Sequence, residues 1–214
     1  MKRAAIRKCR DRLHSASTKL QALREATSQQ AFKVSWIDFL FHSKGIYDTL
    51  RKGAEGFPAS VEWATGKYNA RLGDPLLNYM VEARNDEEHG LGSSLELQPE
   101  RHEFGFGGGG FSGGVRLDGG QFRNVIASGP VLFTGPLPAG TRVRSLDGRP
   151  VQVRSTPATI MLIPVTPRRG PPIPPPGQHL GQPLTDASPL AVAELFLVYL
   201  ETLVAEAGGL VQSG

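Results

Sequence analysis

Residues 78–90, Asn78-Tyr79-Met80-Val81-Glu82-Ala83-Arg84-Asn85-Asp86-Glu87-Glu88-His89-Gly90 (NYMVEARNDEEHG), run from an apolar lead into a cluster of ionisable groups. Leu76, Leu77, Met80 and Val81 recur at helical spacing. Asp74-Pro75 sets an N-capping acid before a proline at the first helical position, and Gly90 suits a C-terminal cap. A helix over 75–89 is therefore predicted. On it Asn78, Glu82, Asn85 and His89 make one polar line, because residues three and four apart are neighbours on a helix surface. Arg84 lies roughly 100° around from Asn85, toward the apolar side. Arg84 and His89 thus share no face of an ideal helix. They converge only through a distorted last turn or across a dimer axis.

The chemistry of these residues supports two readings. Arginine's planar fork suits a phosphate. Histidine exchanges protons near neutral pH, and the carbonyl end of a helix stabilises its protonated form. Together they can cleave RNA without a metal, with histidine moving the proton and arginine steadying charge on phosphorus as the ribose 2′-hydroxyl attacks. Asn85 would orient a phosphate or the imidazole. In the structural alternative, Arg84 pairs with Glu87, Glu88 or a neighbouring helix, and His89 bonds a carbonyl near the cap. Asp86, Glu87 and Glu88 would repel RNA unless they point away or are paired.

Arg84-Asn85-Asp86-Glu87-Glu88-His89 resembles the signature of the HEPN superfamily: an arginine, commonly a polar residue next, and a histidine after a short gap. The resemblance covers about residues 1–92. It implies a helical bundle that binds RNA, with Arg84, Asn85 and His89 as catalytic residues of a metal-independent endoribonuclease of a toxin or defence type. It also implies a composite site in a homodimer and a cognate protein partner. Other members of the family have lost catalysis and act as binding scaffolds. No cofactor and no metal are expected.

Outward from this segment, residues 4–26 carry Ile6, Cys9, Leu13, Ala16, Leu20 and Leu23 along one helical seam. Cys9 sits on that seam and reads as a small core residue. Residues 29–52 are apolar around much of their girth (Phe32, Trp36, Phe39, Leu40, Ile46, Leu50), which suits a central helix. Residues 58–71 form a third helix with Val61, Trp63, Ala64 and Tyr68 available for burial. Beyond Gly92, strands are expected around Leu95 and Leu97, Phe104 and Phe106, and over 121–127, 142–145, 151–154 and 159–165. Asp147-Gly148 is expected to turn a hairpin between the strands at 142–145 and 151–154. The glycine tract at 104–114 holds a formal G-x-G-x-x-G (Gly105, Gly107, Gly110) but lacks the strand-to-helix context of a dinucleotide site, and reads as a loop. The predicted class is α+β: a four-helix HEPN-like bundle over 1–92, a small antiparallel β region over 93–166, a proline-rich arm over 167–187, and a C-terminal helix over 188–214. That helix opens at Ser188-Pro189 and is apolar enough to pack back on the bundle or on a second subunit.

Charge is unevenly spread. Residues 1–52 hold 12 Lys/Arg against 4 Asp/Glu, and residues 53–103 hold 4 against 10. The basic segment attracts a polyanion or simply balances the acidic one. A single cysteine excludes an intramolecular disulfide and a cysteine zinc cluster. The N-terminal residues lack the apolar core of a secretory signal. The apolar run 190–204 is too short for a bilayer, so a cytoplasmic protein without membrane contact is expected. The expected partners are RNA and a second copy of the chain. The alternative function is a non-catalytic assembly protein that uses the C-terminal helix and the proline arm.

Overall fold

The computed structural model of the protein describes residues 1–89, 92–106, 114–119, 122–128, 131–146 and 151–211. The fold is α+β, and among these residues it comprises five α-helices and small antiparallel sheets. Two compact units form: Met1–Glu96 with Ile160–Gly214, and Leu97–Thr159. No helix among the described residues is long and apolar enough to cross a membrane.

The first unit is built on α1 (Arg3–Arg24) and α2 (Gln29–Ala54), which run antiparallel. The register is read from three contacts. The Lys2 amide donates to the Gly53 carbonyl (3.0 Å), the Cys9 thiol approaches the Ile46 carbonyl (3.8 Å), and Lys19 pairs with Asp38 (2.7 Å). Small residues make the approach possible. A Cβ at Gly53 would collide with the Ala5 methyl, and one at Gly45 would fall on the Arg12 guanidinium. Cys9 is fully buried in this seam, and burial pushes its thiol up to about 11, which suits a core residue rather than a nucleophile.

Helix α3 (Pro58–Gly73) and helix α4 (Pro75–His89) follow, and α5 (Pro189–Gly209) packs against α1, α2 and α4. Trp36, Phe39, Leu76, Leu77, Tyr79, Met80, Phe196 and Leu200 form one buried core from α2, α4 and α5. Each large side chain withdrawn from water there contributes about 1.5–3 kcal/mol. The caps act as their residues suggest: Asp74 accepts from the Leu77 amide (2.9 Å) and Ser188 from the Ala191 amide (3.3 Å).

The chain leaves this unit along β1 (Leu95–Gln98) and returns along β8 (Thr159–Leu162), which pair with each other. The segment after β8 is not uniform polyproline. Val165 and Ile173 exchange two backbone hydrogen bonds, and β9 (Gln178–His179) and β10 (Gln182–Pro183) form a hairpin. Its two central residues, Leu180 (φ 50°) and Gly181 (φ 76°), are left-handed, as a two-residue hairpin turn requires. A left-handed leucine costs about 1–2 kcal/mol. Asp74 holds it there by accepting the Leu180 amide (2.6 Å), while the His179 ring lies 3.2 Å from the same carboxylate. One carboxylate therefore caps α4 and seats the arm.

The second unit holds two three-stranded antiparallel sheets. One is ordered β5 (Val131–Thr134), β2 (Arg101–Phe106), β7 (Val151–Thr156). The other is β4 (Phe122–Ser128), β3 (Gly114–Gly119), β6 (Arg142–Ser145). Phe104, Val115 and Leu117 form its core. The expected hairpin between the strands at 142–145 and 151–154 is corrected: β6 pairs with β3 and β7 with β2, so the two lie in different sheets. Their local alternation is right, but their partners are distant in sequence. Asp147-Gly148 and most of the glycine tract lie outside the described residues.

Two outcomes test this account. Gly53→Val should lower stability by about 1–3 kcal/mol, the usual cost of overpacking, measured by denaturant unfolding. An unchanged midpoint would refute the close helix approach. Burial pushes the Asp74 carboxyl up, but bonds from Leu77, Leu180 and His179 outweigh it and hold the group below its ordinary value. Its contribution is therefore complete above the unfolded carboxyl pKa of about 3.9 and fades as pH falls below that. Asp74→Ala should flatten the acid limb of the stability–pH curve in that range, and an unaltered limb would contradict the assignment.

Candidate nucleic-acid interface

On α4 every acid of the ionisable cluster has a partner. Glu87 Oε1 accepts from the Ser94 amide (2.7 Å), the Ser94 hydroxyl (2.8 Å) and the Ser93 hydroxyl (3.2 Å). Ser94 Oγ in turn accepts from the buried Trp36 indole N–H (2.8 Å). Asp86 is buried and accepts the Thr166 amide (3.0 Å). Two of the three carboxylates thus fasten the chain where it leaves and re-enters the helical unit. Glu88 pairs with Arg84 one turn away. Tyr79 reinforces the junction by donating to the Ile163 carbonyl (2.7 Å).

Arg84 is mostly buried (side chain 15 % exposed), and its guanidinium carbon sits 5.8 Å from the Phe41 ring centre. Burial draws its pKa down from the ordinary arginine value, and Asp48 opposes that shift; a guanidinium remains charged throughout. Asn85 donates to Glu82 (3.0 Å), along the polar line expected of α4. His89 closes the helix, and its side chain lies outside the described residues. Arg84 therefore takes a carboxylate from its own helix, as in the structural alternative, and Asn85 is paired one turn earlier.

Arg84 also lines a groove of about 490 Å³ between α1, α2 and α4. Lys2, Lys8 and Arg12 enter it from the α1 side, and Lys44 and Lys52 from α2, with Asp48 as its one acid among the described residues. Helical spacing explains the convergence: Lys8 and Arg12 are four apart, as are Lys44 and Asp48, and Lys52 follows four later. Antiparallel packing brings the two rows to one opening. Lys44 Nζ lies 3.7 Å from Asp48, a long pair, and Lys2 Nζ reaches the Lys52 carbonyl (3.4 Å). Among the described residues Lys8, Arg12 and Lys52 form no ion pair. Gly45 leaves room for the Arg12 guanidinium to cross α2.

Other histidines and arginines fall elsewhere. His102 is buried in the second unit, with Nδ1 2.8 Å from the Ser155 hydroxyl. Arg142 and Arg144 are exposed on β6 and Arg154 on β7, in separate sheets; Arg144 stands directly across from Arg116. Among the described residues no group of three or more His, Cys, Asp or Glu side chains is placed to hold a metal ion. The basic segment was visible in the composition of residues 1–52, but Arg84's place beside it was not, since that depends on how α4 packs on α2.

No family model, curated protein or solved structure matches the chain.

The pairings on α4 make contrasting predictions. Glu87→Ala strands the Ser94 amide and hydroxyl donors and should cost about 1–3 kcal/mol by chemical denaturation. Glu88→Ala takes the carboxylate from Arg84 but leaves the donors at Ser93 and Ser94 satisfied, and should cost less than Glu87→Ala. Equal losses in the two variants would overturn this assignment of roles.

Proposed function

We propose that the helical unit binds the phosphate backbone of RNA in the groove between α1, α2 and α4. The observation that carries this reading is that six cations and one carboxylate, Asp48, line a single groove among the described residues, with Glu88 pairing Arg84 one turn along α4. Such a field attracts a polyanion and releases its counterions on contact. The choice of RNA rests on the resemblance of the Arg84–His89 segment to the HEPN superfamily.

Cleavage is the catalytic form of the same reading. Arg84 exchanges Glu88 for a phosphate oxygen, His89 moves the proton of the attacking 2′-hydroxyl, and Asn85 orients the pair. The exchange is between like partners, because carboxylate and phosphate present the same bidentate geometry to a guanidinium. Val34, Ile37 and Phe41 form an exposed apolar stripe on α2, with Phe41 beside Arg84. This stripe favours a second reading, in which the same face joins two copies of the chain and the protein acts as an assembly module.

Binding is measured with fluorescently labelled single-stranded RNA over a series of salt concentrations. If all six cations meet phosphates, the slope of log affinity against log salt approaches roughly −4, at about −0.7 per contact. Lys8→Glu with Arg12→Glu should weaken binding at least about tenfold and flatten the slope; unchanged affinity would refute the groove. Cleavage in the presence of a chelator, lost in both Arg84→Ala and His89→Ala with the fold intact, supports catalysis. Tight binding without cleavage by the wild type would leave the binding role and remove the catalytic one.

A further inference from the structure

We infer that Arg71 anchors a second site, between α2, α3 and α5, for a small amphipathic oxyanion: a carboxylate or phosphate group carrying a short apolar tail. Arg71 is only 6 % exposed, in the last turn of α3. Its guanidinium carbon lies 4.6 Å from the Tyr68 ring centre and 5.8 Å from that of Tyr47. Its Nε has no hydrogen-bond partner, and among the described residues it forms no ion pair. The nearest acid in sequence, Asp74, is engaged by Leu77, His179 and Leu180. Aromatic faces and the carbonyl end of α3 favour a cation there. Those gains are small beside the cost of burying a guanidinium without a counter-charge. An anion would supply what is missing.

The space for it is present. A cavity of about 70 Å³ is lined by Arg71, Tyr47, Trp63, Lys67 and Leu203 among others. One buried water needs roughly 10–15 Å³ of such space, so the cavity accommodates one oxyanion headgroup or a few waters. Two carboxylates lie near, and both are paired: Glu206 with Lys67 (2.6 Å) and the Trp63 N–H (3.2 Å), and Asp48 with Lys44. Arg71 remains uncompensated, with Arg51 on the rim. A groove of about 250 Å³ shares Arg51, Ala64 and Tyr68 with this cavity and continues past Ala54, Val61 and Glu55. Positive charge at one end and a mainly apolar trough at the other, with Glu55 as its acid among the described residues, define the ligand class. A polymeric phosphate backbone does not fit a cavity of about 70 Å³, so this site is separate in function from the RNA groove, although Lys44 and Asp48 line both.

The test titrates the whole protein with octanoate, octyl phosphate and, as a neutral control, octanol, following tryptophan fluorescence and thermal unfolding. Octanoate or octyl phosphate should give a saturable fluorescence change that disappears in Trp63→Phe, together with a rise in melting temperature. Preference between the two probes assigns the natural headgroup as carboxylate or phosphate. Arg71→Gln should raise the apparent Kd at least about tenfold. Val61→Asp, at a half-exposed position that does not threaten folding, should do the same by placing a negative charge in the trough. If Arg71→Gln fails to fold, Val61→Asp decides. No saturable response to either anion at millimolar concentration, octanol binding as tightly as octanoate, or full affinity in Val61→Asp would overturn the proposal.

Discussion

The close apposition of α1 and α2 is the constraint on which the helical unit depends. Two helices pack closely where side chains are small, and Ala5, Cys9 and Gly53 supply that seam, while Gly45 admits the Arg12 guanidinium. The seam fixes the antiparallel register. The register in turn places Lys8 and Arg12 opposite Lys44 and Lys52, and the groove exists because those rows are held together. Mutual repulsion among these cations opposes the packing, and the buried core of Trp36, Phe39, Tyr79 and Phe196 offsets it. A helix pair without the glycines would sit farther apart and spread the same charges over a wider surface.

Helix α4 divides its acids between structure and site. Asp86 and Glu87 accept from backbone and hydroxyl donors of the segments at 93–94 and 166, so they fasten those segments of the same unit to α4. Glu88 alone competes with a phosphate for Arg84. Asp86 and Glu87 are turned toward neutral amide and hydroxyl donors, and only Glu88 faces a cation, Arg84. That pairing gives the guanidinium a resting partner that an incoming phosphate can displace.

Most of the helical architecture was legible in the sequence because its signals are local. Asp74-Pro75 and Ser188-Pro189 mark helix starts by capping chemistry, and the apolar spacing of α1, α2 and α5 marks their buried faces. What the sequence concealed is non-local. The strands at 142–145 and 151–154 alternate as strands should, yet each pairs with a segment far away in the chain. His179 carried no local signal, and its place on Asp74 follows from a left-handed Leu180 that only the tertiary contact sustains. Arg71 was invisible for a similar reason, since an arginine between Ala70 and Leu72 reads as a surface residue until α2 and α5 close over it. For the residues proposed to cleave RNA, the sequence placed Arg84, Asn85 and His89 on one helix end. The pairing of Arg84 with Glu88 and its opening onto a groove built by two other helices depended on packing.

The central claim is that cations from α1 and α2 act as one surface. Lysine acetylation, quantified by mass spectrometry with and without bound single-stranded RNA, tests it most directly. Lys8, Lys44 and Lys52 should be protected together, while Lys33 and Lys67, which do not line the groove, should react unchanged. Protection spread evenly over all lysines, or confined to Lys33 and Lys67, would contradict it.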